Sequence, residues 1–140
     1  MAVSFFFEGI QVTLTERNKL KAFLLKIFMS HGKELGSLNY IFCTDLYLLD
    51  INRKFLNHDY YTDIITFDLS VSPKITEAEI YISVDRVRDN ARKIGVSVRE
   101  ELHRVIFHGA LHLCGYTDKT SKEKKIMTLA EDKNLRLYLA

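Results

Sequence analysis

The sequence has little of what would place it in a specialised class of protein. Its 140 residues include one proline and six glycines, and 47% of them are hydrophobic and 27% charged, values close to those of an average globular protein. This composition excludes collagen-like, low-complexity and disordered chains. The most apolar stretch, residues 22–29, contains Lys26 and falls far short of the ~18 residues that a bilayer-spanning helix needs. We therefore expect a single domain over residues 1–140 with no membrane segment.

The chain also has few cysteines and a small net charge. Cys43 and Cys114 are too few for a disulfide framework or a four-cysteine zinc site, so we expect two reduced core residues. The N-terminus has neither the basic start nor the small-residue cleavage site of a secretory signal, which predicts a cytoplasmic protein. The formal charge of +2 allows an anionic partner without requiring one.

Alternating polar and apolar residues predict four strands and one further candidate. The strands cover residues 3–7, 38–43, 62–68 and 79–83, and residues 11–14 are the further candidate. Because the chain has no repeat, linker or break in composition, we expect one sheet with the helices packed around it.

Apolar residues at helical spacing, together with capping residues, predict five helices. The first begins after an N-cap at Thr15 and ends near Gly32. Thr44 caps the second, which runs to about residue 56. The third covers residues 83–94 and is closed by Gly95.

The last two helices begin with the capping-box spacing of a hydroxyl residue and a glutamate. Ser97 and Glu100 start a helix that runs through residue 114, where Gly115 can end it in a left-handed conformation. Thr120 and Glu123 start the final helix. Its apolar residues are expected on or near the buried side: Ile126, Leu129, Leu135 and Leu137.

The candidate chemistry lies in the fourth helix, where two histidines are four residues apart. His108 and His112 are rotated only ~40° from each other, so their imidazoles share a face and one helix can supply two ligands to one metal. Gly115 lets the chain turn back, which makes Asp118 the nearest side chain able to supply a third ligand. Two imidazoles and a carboxylate leave a coordination position open, as in catalytic zinc sites.

Each of these residues also has a purely structural interpretation. Histidine pairs at this spacing occur by chance on helix surfaces or as hydrogen-bonded core residues, and Asp118 is equally suited to a turn or a helix cap.

Gly109 occupies the position that holds the general base in the H-E-x-x-H pattern of zinc peptidases, so that route to peptide hydrolysis lacks its base. A glycine inside a helix costs about 1 kcal/mol relative to alanine, which favours a close approach of backbone or ligand there.

The histidine segment resembles a known family signature. Residues 108–118 read HGALHLCGYTD, which resembles the H-G-x-L-H-L-x-G-Y-x-H/D signature of the YbeY-like ribosomal RNA maturation endoribonucleases. Residues 56–67, LNHDYYTDIITF, resemble the family segment that ends in T-D-V-L-S-F, and residues 78–83, AEIYIS, resemble its G-D-I-x-I-S strand. The length and the order of elements agree over nearly the whole chain.

The resemblance implies an α+β domain with a mixed sheet of about four strands, about five helices and a zinc-hydrolase-like site on a C-terminal helix. It also implies cleavage of single-stranded RNA, with action on small-subunit (16S) rRNA ends and on defective ribosomes. By motif position, His108 and His112 are ligands of one zinc ion, and Asp118 stands where histidine is usual. The carboxylate lowers the charge of the site by one unit, so we expect weaker acidification of bound water and greater tolerance of harder metals.

Basic side chains flank the histidines and are suited to attract RNA phosphates. The RNA-binding candidates are Arg53, His58, Arg86, Arg104 and Lys119. Arg53 is included because the loop before Thr62 lacks an arginine that the resemblance leads us to expect. Acidic residues are interleaved with the basic ones, so ordinary solvated helix faces explain the same pattern. Tyrosines near the site could either stack on unpaired bases or pack: Tyr60, Tyr61 and Tyr116.

Two alternative functions follow from the same residues. One is another metal-dependent hydrolase, or an iron oxygenase with two histidines and a carboxylate, although such oxygenases hold their ligands in an all-β sandwich. The other is a non-catalytic rRNA-binding assembly factor whose metal only holds the C-terminal loop. His31 and His103 are expected to be structural. The attacking nucleophile, water or a ribose 2′-hydroxyl, stays open.

Overall fold

The computed structural model describes residues 2–140 and contains one four-stranded sheet. In chain order the strands are β1 (Val3–Glu8), β2 (Glu34–Cys43), β3 (Ile64–Asp68) and β4 (Ile75–Ser83). The order across the sheet is β1-β2-β4-β3. β1 and β4 are both parallel to β2, whereas β3 runs antiparallel to β4 at the edge. The sheet is therefore mixed, as expected.

Five helices accompany the sheet, which confirms the predicted number. They are α1 (Arg17–Ser30), α2 (Asp45–Leu56), α3 (Val84–Ile94), α4 (Val98–Leu113) and α5 (Ser121–Leu139). Thr44, Ser97 and Thr120 each accept a backbone N–H three residues further on, as their capping pattern predicts. None of the helices within residues 2–140 combines the length and apolar character needed to cross a membrane.

Two predictions for the segment before α1 are wrong. Residues 11–14 do not form a strand, because Gly9 turns the chain away from β1 with φ +71° and the carbonyl of Gln11 accepts from the Arg88 side chain, 2.7 Å away. Their alternating pattern reflects a loop that packs Leu14 into the core. α1 also begins without Thr15 as its cap. The N-cap is Glu16, in a left-handed conformation and without a side-chain hydrogen bond.

The prediction for the buried side of α5 is also wrong. Ile126, Leu129 and Leu137 are exposed, and the fully buried positions are Met127, Glu131 and Tyr138. Of the four predicted residues, only Leu135 packs against the core, and it does so partly. The helix is rotated so that a carboxylate enters the interior, which a pattern of apolar residues cannot show.

α4 lies against one face of the sheet and carries the histidines toward its edge. The buried Tyr40 hydroxyl on β2 donates to the carbonyl of Ile106, 2.9 Å away. A Cβ atom at Gly109 would lie 2.9 Å from Cδ1 of Ile80 and 3.0 Å from Cδ1 of Ile64. This confirms the close backbone approach expected at Gly109 and places the last turns of α4 beside β4 and β3.

Candidate metal centre

The end of α4 returns the chain toward its own histidines. The helix ends at Leu113, and Gly115 adopts a left-handed conformation with φ +106°, as predicted. Its N–H donates to the carbonyl of His112, and the N–H of Tyr116 donates to the carbonyl of Leu111, each at 3.0 Å. These bonds fold residues 114–118 back along the helix.

Asp118 therefore lies next to both histidines. Its Oδ2 is 3.5 Å from Nε2 of His108 and 3.5 Å from Nε2 of His112. The two imidazole rings are almost perpendicular, with their centroids 4.6 Å apart. One donor atom can be chosen from each of the three residues such that all three atoms lie within 4.8 Å of one another. All three side chains are partly accessible to solvent.

These distances fit a divalent cation held between the three donors. Zinc bound tetrahedrally by nitrogen and oxygen at ~2.1 Å separates its ligand atoms by about 3.4 Å. The 3.5 Å separations from Asp118 to each histidine are close to that value. Three protein donors would leave one position open to a substrate or water.

Hydrogen bonds on the far side of each imidazole orient Nε2 toward this point. Nδ1 of His112 donates to the carbonyl of Tyr116 at 2.9 Å, and Nδ1 of His108 donates to Oε2 of Glu131 at 2.5 Å. A carbonyl oxygen or a carboxylate can only accept here, so the proton of each neutral ring is on Nδ1. The lone pair of Nε2 is then free to bind a metal.

A buried ionic network lies behind His108 and was missed from the sequence. Arg104 donates from Nε to Glu101 Oε1 at 2.7 Å and from Nη1 to Glu131 Oε1 at 3.2 Å. Glu101 and Glu131 are only 1% and 4% exposed. The hydrogen bond to Glu101 raises the pKa of Arg104 above its usual range. One signal was available, since Glu131 follows the apolar Met127 at helical spacing on the same face.

Arg104, expected among the RNA-binding residues, is therefore engaged elsewhere. Its guanidinium group is held by two carboxylates in the network behind His108 rather than standing free on a basic rim. The sequence shows that Arg104 is a cation, but it does not show that its partners are Glu131 of α5 and Glu101 in the preceding turn of α4.

The side chains of three other RNA-binding candidates also have protein partners. Arg53 forms an ion pair with Asp59, and Arg86 pairs with Asp45 while its guanidinium lies 4.9 Å from the centre of the Tyr61 ring. His58 bonds through Nδ1 to the Tyr60 hydroxyl at 2.9 Å. Lys119 follows Asp118 directly, and its backbone N–H donates to Glu123.

The histidine cluster borders a cleft beside the edge strand. His112 and Leu113 line one side, and Ile64, Thr66 and Asp68 of β3 line the other, around a volume of about 370 Å³. Asp68 also borders an adjoining cavity lined by Lys33, a cation that the sequence did not single out.

His103 occupies the opposite side of α4 and is a structural residue, in agreement with the sequence. It is buried, its ring stacks on Tyr138 with centroids 5.2 Å apart, and its Nδ1 bonds to the carbonyl of Arg99. Burial lowers the pKa of His103 below its usual value, and the bond to Arg99 opposes this shift only in part.

The buried His103 should make stability depend on pH. An unfolded chain takes up the histidine proton near pH 6.5, whereas the folded chain does so only at lower pH. Stability from this group is therefore complete above about pH 6.5 and falls as the pH drops toward the lower, folded value. Urea unfolding at about pH 8 and pH 5 should show a smaller acid loss for His103→Gln than for the unchanged chain. Equal losses in both chains would contradict this assignment.

A three-donor site open to solvent at the end of a helix is typical of the metal-dependent hydrolases. The family described as endoribonuclease YbeY matches residues 8–138 of this chain. The chain therefore belongs to the endoribonuclease YbeY family, and the resemblance seen in its three motifs is confirmed. Membership places it among enzymes of RNA cleavage rather than among iron oxygenases.

Individual relatives support the same assignment. The chain is 50% identical over 135 residues to endoribonuclease YbeY of Cytophaga hutchinsonii, covering 96% of this chain and 94% of that protein. It is 43% identical over 137 residues to endoribonuclease YbeY of Bacteroides thetaiotaomicron, covering 98% and 99%. The solution structure of TM1509 from Thermotoga maritima matches with a TM-score of 0.64 and 26% identity, covering 96% of this chain and 89% of that one.

Proposed function

We propose that this chain is a metal-dependent endoribonuclease that cuts single-stranded RNA in the cytoplasm. Its proposed roles are maturation of small-subunit (16S) rRNA and ribosome quality control, with all 140 residues forming one catalytic domain. The observation that carries the proposal is the convergence of His108, His112 and Asp118 at ligand distances in a member of an endoribonuclease family. The proposed cofactor is one zinc ion per chain.

The proposed ligands are Nε2 of His108, Nε2 of His112 and a carboxylate oxygen of Asp118. A bound divalent cation supplies positive charge for a phosphate oxygen and lowers the pKa of a water molecule. The histidines keep Nε2 available because each Nδ1 proton is held by another acceptor. Asp118 reduces the positive charge of the site by one unit relative to a third histidine, which favours tolerance of harder metals such as manganese.

RNA is proposed to lie in the cleft between β3 and the end of α4. Lys33, which lines the adjoining cavity together with Asp68, and Lys119, which follows the third ligand in the chain, are suited to bind phosphates. Arg53, His58 and Arg86 are proposed as further RNA contacts. Exposed tyrosines on the loop before β3 can stack on unpaired bases: Tyr60 and Tyr61.

Metal removal tests the proposal directly. Purified protein should carry about one zinc per chain, lose cleavage of a labelled single-stranded RNA when chelated, and recover it with one equivalent of zinc or manganese. A duplex of the same sequence serves as the control substrate and should be cut more slowly. End-group analysis of the product separates attack by water from attack by the 2′-hydroxyl. Undiminished cleavage by metal-free protein would contradict the proposal.

Asp118→Ala separates a catalytic ion from one that only holds the C-terminal loop. A catalytic role predicts loss of turnover with thermal stability and RNA affinity largely kept. Stability and RNA affinity falling together would favour the non-catalytic assembly factor. Purified small ribosomal subunits carrying unprocessed 16S rRNA are the substrate that tests the ribosomal part of the proposal.

A further inference from the structure

Glu131 is a buried carboxylate whose two oxygens have separate partners. It projects from α5 and is 4% exposed. Oε2 accepts from Nδ1 of His108 at 2.5 Å, and Oε1 accepts from Nη1 of Arg104 at 3.2 Å. The residue therefore joins the first proposed metal ligand to a cation on α4, although it lies 23 positions later in the chain.

Arg104 is itself fixed by a second buried carboxylate. Glu101 accepts from Nε of Arg104 at 2.7 Å and from Nη2 at 2.5 Å, a two-point contact that sets the plane of the guanidinium group. Glu101 is 1% exposed. The order of contacts is thus Glu101, Arg104, Glu131 and His108.

The charges of this network do not balance. Counted as formal charges with a neutral His108, two carboxylates face one guanidinium group, which leaves one negative charge in a site where water provides little screening. Asp118 adds another carboxylate on the opposite side of His108. A divalent cation at the Nε2 side of the histidines would offset this excess.

We propose that Glu131 is a positioning residue that orients His108 for metal binding, with Arg104 holding Glu131 in place. This inference rests on the proposed metal site. It gives α5, the C-terminal helix, a role in positioning one of the proposed ligands. The carboxylate fixes the ring angle of His108 and keeps the proton on Nδ1. It also makes Nε2 a stronger donor, because its negative charge stabilises the positive charge that the ring shares with a bound cation.

The test measures metal binding itself. Glu131→Gln keeps the size of the side chain and an oxygen that can accept from His108, but it removes the negative charge. Its zinc dissociation constant, measured by chelator competition, should rise by about 10- to 100-fold. The visible spectrum of the cobalt-substituted protein should also change, because the donor strength and angle of His108 determine the ligand field.

Glu101→Gln is the matched control. This substitution likewise replaces a buried carboxylate that accepts from Arg104 with an amide. Glu101, however, makes no contact with His108. Both variants should lose stability in the metal-free state, whereas only Glu131→Gln should shift zinc affinity and the cobalt spectrum. Equal shifts in both variants, or no shift in either, would overturn the positioning role.

Two further outcomes keep this test separate from that of the metal site. If the unchanged chain binds neither zinc nor cobalt, the proposed metal centre fails and the positioning role fails with it. If the unchanged chain binds metal and Glu131→Gln binds it equally well, only the positioning role is overturned. Should Glu131→Gln not fold, Glu131→Asp keeps the charge while withdrawing the carboxylate from His108, and its zinc affinity should likewise fall.

Discussion

His112→Ala is expected to lose its bound metal and to cleave single-stranded RNA at least about 1,000-fold more slowly than the unchanged chain. Charge stabilisation by a metal is worth several kcal/mol in the transition state, and about 4 kcal/mol corresponds to that factor. The substitution removes one of three donors from a cluster in which Asp118 Oδ2 lies 3.5 Å from each histidine Nε2. We expect the two remaining donors to hold a divalent cation too weakly for catalysis.

The fold should survive this change, because the His112 side chain is partly exposed and its Nδ1 hydrogen bond goes to a nearby backbone carbonyl, that of Tyr116. Metal content by elemental analysis and cleavage of a fluorescent RNA measure the two effects. His103→Gln is the control, since it alters a histidine on the other side of the same helix and should keep the metal and the activity. Retention of one metal ion at unchanged affinity by His112→Ala would show that the ligand set is wrong.

Arg104→Met is expected to lower the free energy of unfolding by about 3–5 kcal/mol. The variant keeps most of the apolar stem but removes the only cation bonded to Glu101 and Glu131 within residues 2–140. Both carboxylates are almost fully buried, so Glu101 would lose its cation and Glu131 would keep only the hydrogen bond from His108, at a site from which water is excluded. Urea denaturation of metal-free protein measures the loss.

Arg92→Met is the matched control for this prediction. Arg92 is exposed on α3, and its replacement should change stability by no more than about 0.5 kcal/mol. Arg104→Lys should lie between the two, because a lysine keeps the charge but cannot form the two-point contact with Glu101. Unchanged stability of Arg104→Met together with weaker RNA binding would instead support the surface role expected from the sequence.

Much of the fold can be predicted from local sequence patterns such as helix caps and glycines. Thr44, Ser97 and Thr120 start helices because a hydroxyl group satisfies a backbone N–H a few residues away, whatever the rest of the chain does. Gly109 marks a close approach, and the structure shows which side chains cause it. Where the local pattern was ambiguous, at residues 11–14, the prediction was wrong.

The family and the histidine cluster were also accessible from sequence because their parts are close together in the chain. His108, His112 and Asp118 span eleven positions, so helical geometry and one glycine turn suffice to suggest their meeting. The distances that make the cluster fit a cation required the structure.

Local patterns in the chain predict where most elements begin and end, which family the motifs resemble and which three side chains are suited to hold a metal. Three further features became visible only in the folded molecule: β3 forms the sheet edge beside the cluster, α5 turns Glu131 inward, and Arg104 bonds to Glu131. The physical reason is that caps, turns and four-residue spacing act through neighbouring backbone atoms. The orientation of α5 and the pairing of Arg104 with Glu131 depend on contacts between residues far apart in the chain.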